Sequence, residues 1–111
     1  MVIYKILLPL EWAEFEAAGW FAGSSFDRRS GFTHFSSREQ AGGTARRFFA
    51  DEPELVVIAV DAAAMGESLR WEAATDGGTF PHVYASLSLS AVLAVYHVDG
   101  ALSVDEALPP E

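Results

Sequence analysis

The chain has 111 residues, and seven Lys plus Arg against sixteen Asp plus Glu give it a formal charge of −9. Half of it is hydrophobic, 13% is aromatic, and it has no cysteine. That is the size and apolar content of one folded domain, not of a disordered chain. The missing cysteine excludes disulfides, thiolate zinc sites and thiol catalysis, and the acidity argues against gripping long nucleic acid through overall charge.

From the N-terminus, Val2–Leu8 reads as a strand, rich in β-branched and aromatic residues and bounded by Pro9. Lys5 sits in its middle, where a charge needs a partner or a wet face. The apolar run from Ile6 is cut by Glu11, shorter than a secretory core, and no segment reaches transmembrane length, so a cytoplasmic protein without a membrane partner is expected. Leu10–Ala18 reads as a short helix stopped by Gly19. Gly23–Gly31 reads as a polar turn. Phe32–Phe35 reads as a short strand, with Phe32 and His34 on one face and Thr33 and Phe35 on the other.

Ser36 and Ser37, each followed three residues later by Glu39 and Gln40, then announce a helix through the capping-box pattern. It is predicted to run to about Ala50, weakened by Gly42 and Gly43. The continuous run LVVIAV within Glu54–Val60 predicts a central buried strand. Asp61–Gly66 reads as a helical turn, Leu69–Glu72 as a strand with alternating faces, Ala73–Thr79 as a loop, and Phe80–Tyr84 as an extended segment leading into Ala85–Leu89. Ala91–Val98 is the last strand, closed by the turn pair Asp99-Gly100. About five strands and two short helices without strict alternation predict an α+β single domain with a mainly antiparallel, split β-sheet. Residues 1–104 form that domain in this reading, and residues 105–111 a flexible acidic tail.

The charge is unevenly placed. Residues 28–47 hold Arg28, Arg29, Arg38, Arg46 and Arg47 against Glu39 alone. Such a block is either a solvated helix face or a local anion site, with a helix N-terminus just after His34 able to hold one phosphate. His34 and His82 stand out among the three histidines because both are flanked by rigid aromatic residues. Each also has a structural reading, as a core or capping side chain. Leu69-Arg70-Trp71-Glu72 is an edge strand in one reading. In the other it is a cleft rim, with Arg70 to hold a phosphate and Trp71 to stack on a flat ring. No spacing suggests a metal site, a nucleophilic serine elbow, a P-loop or a dinucleotide glycine fingerprint.

Five strings together carry a resemblance: IYKIL at 3–7, GFTHFSSREQ at 31–40, LVVIAVD at 55–61, LRWE at 69–72 and FPHVY at 80–84. In order and spacing they resemble the bacterial family labelled domain of unknown function 952, which is similar in fold to the ADP-ribosyltransferases and most closely to the tRNA 2′-phosphotransferases. The resemblance implies an ADP-ribosyltransferase-like fold and NAD as a possible cofactor, with no metal. It places Phe32-Thr33-His34-Phe35 on the phosphotransferases' second motif. Tyr4-Lys5-Ile6 falls where their first motif carries a histidine, and Arg70-Trp71-Glu72 is similar to their aromatic-Arg-Ser strand in a different order.

The implied site has Glu72 and His34 as catalytic groups, with Lys5, Tyr4, His34, Ser36, Arg70, Trp71, His82 and Tyr84 binding the cofactor. Gln40 is a further recurring polar position. In that site Glu72 stabilises the positive charge that develops as a glycosidic bond breaks. The function expected is therefore nucleotide binding of the NAD or ADP-ribose type, with any enzyme activity an NAD-using transfer. The alternative is a non-catalytic module for a small ligand or a protein partner on the same fold, as a monomer or a weak homodimer through an exposed aromatic such as Trp20.

Overall fold

A computed structural model describes residues 1–75 and 77–110. Strand β1 (Val2–Leu7) pairs antiparallel with β4 (Leu55–Asp61), and β4 pairs antiparallel with β8 (Val92–Val98), so β4 is the central strand. Its LVVIAV run is buried along its whole length, as a strand covered on both faces requires. Alternation along β1 and β4 then separates two cores. Ile3, Leu7, Val56, Ile58 and Val60 face one, and Tyr4, Ile6, Leu55, Val57 and Ala59 face the other.

Helix α1 (Pro9–Ala18) follows β1 and buries Phe15 in the first core. Strand β2 (Trp20–Phe21) pairs with β7 (Leu87–Ser88). The stretch expected to be a turn contains a helix, α2 (Ser25–Ser30). Ser24 caps it: the Asp27 N–H donates to the Ser24 hydroxyl, the Ser24 N–H donates to the Asp27 carboxylate, and Gly31 ends it at φ 87°. A three-stranded antiparallel sheet follows, built from β3 (Thr33–His34), β6 (Thr79–Val83) and β5 (Leu69–Ala73), with β6 in the middle. Val83, Phe35 and Leu69 reach from it into the first core. The predicted loop between β5 and β6 includes Asp76, outside the described residues.

Helix α3 (Arg38–Phe48) covers the second core with Ala41 and Ala45. Of the two serines in its signal, Ser37 is the cap, sharing the box with Gln40. Ser36 is instead buried, its hydroxyl on that of Thr44 at 2.9 Å. The N-terminus of α3 is thus closed by its own side chains, and Arg38 turns away to the C-terminal segment. The expected boundary at 104 falls inside a packed element, α4 (Val104–Ala107). Val104 and Leu108 are buried in the second core. The Arg38 guanidinium donates to the carbonyls of Asp105, Leu108 and Pro109 and to the Asp105 carboxylate. These contacts reach the segment expected as a tail as far as Pro109, and Glu111 lies outside the described residues.

The expected class, α+β with antiparallel sheets, is the one found. The described residues hold eight strands and four α-helices, more than the five and two expected. Their radius of gyration is 12.8 Å, the value of about 13 Å expected for a single domain of this length. No helix among the described residues is long and apolar enough to cross a membrane.

Candidate functional site

The outer face of the three-stranded sheet carries the chemistry. His34 on β3 lies directly opposite His82 on β6, and His82 directly opposite Arg70 on β5. Directly opposed residues project to the same face, so His34, His82 and Arg70 form one row across three strands. Alternation adds Glu72 and Tyr84 to that face, and the Phe32 ring packs over it.

Each histidine is anchored to its own carboxylate. His34 Nδ1 is 2.7 Å from Asp27 Oδ1, and His82 Nδ1 is 2.8 Å from Glu72 Oε1. A carboxylate on Nδ1 selects the tautomer with its proton there and leaves Nε2 as the working nitrogen. No buried side-chain nitrogen or oxygen among the described residues lacks a partner. No hydrogen-bond partner is found for either Nε2 among the described residues; the His34 side chain is 29% exposed, and the His82 side chain, 11% exposed, lies nearly buried beneath Phe32. The ring centroids are 5.4 Å apart, and Phe32 lies against both, 4.6 Å from His34 and stacked 4.0 Å from His82. Phe26 stacks on the other side of His34 at 4.6 Å. The imidazoles are therefore held by hydrogen bonds at one end and by aromatic faces along their planes.

Asp27 explains Lys5. The ammonium projects from β1 toward the first core and meets Asp27 Oδ2 at 3.0 Å and the His34 carbonyl at 3.0 Å. Asp27 is 2% exposed. Its Oδ1 also accepts the His34 N–H at 3.1 Å, and its Oδ2 the Ser24 N–H at 2.9 Å. Burial opposes its ionisation most strongly. The His34 hydrogen bond, the Lys5 charge and the two backbone N–H groups together outweigh that and hold the carboxyl far below the usual aspartate range. Burial pulls the Lys5 ammonium below its ordinary value, against the attraction of Asp27.

The second carboxylate is open to water. The Tyr84 hydroxyl donates to Glu72 Oε1 at 2.6 Å beside His82. Those two hydrogen bonds, Tyr84 first, lower the Glu72 pKa, and the same bond raises that of Tyr84. Arg70 lies over the Tyr84 ring, 5.0 Å from its centroid. Beside this row is an open cavity of about 280 Å³, lined by Arg28, Phe32, Thr33 and Tyr84 among others. A larger one, about 490 Å³, is lined by Arg46, residues 50–53 and residues 99–102 and shares none of these residues.

The family model for "Protein of unknown function (DUF952)" matches residues 6–95. The chain belongs to the DUF952 family. It is similar to protein CC0527 from Caulobacter crescentus. Against the X-ray structure the identity is 42% and the TM-score 0.85, covering 90% of this chain and 91% of that one. Against the solution NMR structure the identity is 44% and the TM-score 0.80, covering 88% and 84%. A search of curated proteins gave no match.

In this DUF952 chain, six of the residues singled out from the sequence converge: His34, His82, Arg70, Glu72 and Tyr84 on the open face, with Lys5 buried beneath His34. Three lie apart from the row. Tyr4 is buried in the second core, its backbone bridged to Ser36. Ser36 faces Thr44. Trp71, opposite Pro81, is on the other face of β5 by alternation. Gln40 caps α3 and donates to the Thr79 carbonyl. Asp27 and the flanking rings Phe26 and Phe32 complete the site without having been named as site residues. The signal for Asp27 was present, since Ser24-x-x-Asp27 is itself a capping box. Among the described residues no group of three His, Asp or Glu side chains is placed to hold a metal ion.

Proposed function

We propose that the outer face of β3–β6–β5 binds a nucleotide of the NAD or ADP-ribose type and that His34 and His82 exchange protons with it. The observation that carries this reading is the pair of imidazoles 5.4 Å apart, each fixed through Nδ1 by a separate carboxylate. An imidazole can act as general acid or as general base, so a fixed pair can supply both roles. Arg70 at the end of the row supplies a planar fork for phosphate. The exposed ring of Tyr84 suits stacking on a flat ring. Glu72 uses only Oε1 for His82 and Tyr84, so Oε2 is open to a ribose hydroxyl.

These donors fit the ribose and phosphate portions of NAD or ADP-ribose. The first strand adds no side chain to the open face, because Lys5 is buried on Asp27 and Tyr4 is in the second core. Bound NAD would supply a labile glycosidic bond to nicotinamide, with Glu72 the group nearest in kind to stabilise developing positive charge. The resemblance to the ADP-ribosyltransferases read from the sequence strings favours the same ligand class. Titration of ADP-ribose and NAD, followed by calorimetry and by the imidazole NMR signals, tests the proposal. Binding at or below millimolar concentration that perturbs His34 and His82 and weakens in His82→Gln is expected. No binding of either ligand at millimolar concentration overturns it.

A further inference from the structure

Resting on that reading of the site, we infer that the bond it breaks is a phosphoester. His34 and His82 are the base and acid for hydrolysis of a nucleoside cyclic phosphodiester, and Arg70 holds the phosphate. The argument begins with what each candidate bond needs. Nicotinamide leaves a ribose as a neutral molecule and takes no proton, so two anchored imidazoles would have only one part to play there. A ribose oxygen leaving phosphorus is a poor leaving group unless it receives a proton, and the incoming water must lose one. Displacement at phosphorus places those two oxygens roughly in line on opposite sides. A pair of rings from adjacent strands, both facing the same side of one sheet, can serve both oxygens at once. The fixed positive charge in the same row falls to Arg70, directly opposite His82.

The step balances without any further reactant. Water oxygen forms a bond to phosphorus and its proton passes to Nε2 of the unprotonated ring. The bond from phosphorus to one ribose oxygen breaks, and Nε2–H of the protonated ring gives its proton to that oxygen. The product is a ribose phosphomonoester with a free neighbouring hydroxyl, and one water is consumed. The two rings have exchanged protonation states, and the half-buried His34, 29% exposed at its side chain, is the ring through which solvent resets the pair. Asp27 and Glu72 are positioning residues in this scheme. Each holds its imidazole in the tautomer with Nδ1 protonated, and neither touches the phosphate. The singly charged cyclic ester also suits an acidic protein, which repels a polyanion more than a monoanion.

The test is hydrolysis of adenosine 2′,3′-cyclic phosphate by the full chain, followed by separation of the monophosphates, with ADP-ribose binding measured in parallel. The expected result is turnover with a bell-shaped dependence on pH. Each of His34→Gln and His82→Gln should lose at least about 100-fold while remaining folded by circular dichroism. A p-nitrophenyl phosphodiester, whose leaving group needs no proton, should separate the two. One variant should recover most of its loss on that substrate, and the other should not. Binding of ADP-ribose without cleavage of the cyclic ester overturns this inference and leaves the binding proposal standing. Absence of both ADP-ribose binding and cleavage removes both, and cleavage without ADP-ribose binding overturns the binding proposal alone. Cleavage that survives in both single variants, or that falls equally on both substrates in both, also overturns it.

Discussion

Asp27 is the residue on which the site turns, because one carboxylate answers three demands. It takes the charge of a lysine that a core strand carries inward, it fixes the His34 tautomer, and it closes the first turn of α2. Both of its oxygens accept two donors each. Asp27→Asn keeps the shape but leaves the Lys5 ammonium buried without a counter-charge. Breaking one side of a buried pair costs about 3–5 kcal/mol, and a loss of that order in urea unfolding at neutral pH is the expected outcome. Lys5→Met should cost less, since three donors to Asp27 remain. The pH dependence has a definite sign. The folded-state pKa of Asp27 is depressed relative to an unfolded value of about 3.9. Its stabilisation is complete above that value and is lost as the pH falls below it. The stability gap between wild type and Asp27→Asn should therefore shrink below about pH 4. A gap that stays constant into acid would show that the charge of Asp27 does not stabilise the fold.

At the level of elements, the site depends on α2 being a helix. The approach to it is tight: a Cβ on Gly23, whose φ is +103°, would lie 2.9 Å from the Asp27 Cβ. Gly23→Ala meets both a left-handed backbone and that contact. It should destabilise the protein by more than the roughly 1–2 kcal/mol of the backbone penalty alone, and should loosen the NMR signal of His34. A melting temperature equal to wild type would mean that α2 does not hold Asp27 in place.

The same elements show what the sequence makes legible. The buried run of β4, the alternation that puts Phe32 and His34 on one face, and the capping box of α3 are local patterns, readable within a few residues. The need of Lys5 for a partner was readable too, but not the partner's identity. A six-residue helix has too few turns to display a periodic apolar face, so α2 was visible only through Ser24 and Asp27. The opposition of His34 to His82 is a register between strands 48 positions apart. No local pattern encodes such a register, although flanking aromatics marked both histidines. Alternation along Leu69–Glu72 already separates Trp71 from Arg70 and Glu72, and the register of β5 on β6 keeps it on the opposite face.

For the whole molecule, the arginine-rich stretch of residues 28–47 serves two ends of the fold. Arg28 lines the cavity beside the histidines. Arg38 and Arg46 instead meet Asp105, each at 3.3 Å, so part of the positive block closes the C-terminal segment over α3. The second core is completed by that segment, because Leu108 is only 3% exposed. Removing residues 105–111 would open the core at Leu108 and strip Arg38 of four hydrogen bonds. Loss of a buried leucine side chain alone costs about 2–5 kcal/mol, and 1 kcal/mol corresponds to about 4–8 °C in a domain near this size. The truncated chain should therefore melt on the order of 10 °C or more below the full chain. Leu108→Ala should give much of that loss, and Arg38→Ala less, since Leu108 can stay buried without it. No described residue of the segment packs on the face that carries His34 and His82; its contacts are to α3 and the second core. At temperatures where the truncated chain is folded, its affinity for ADP-ribose should match that of the full chain. An unchanged melting temperature would mean that the segment is an appendage, and a weakened affinity that the two ends of the molecule are coupled.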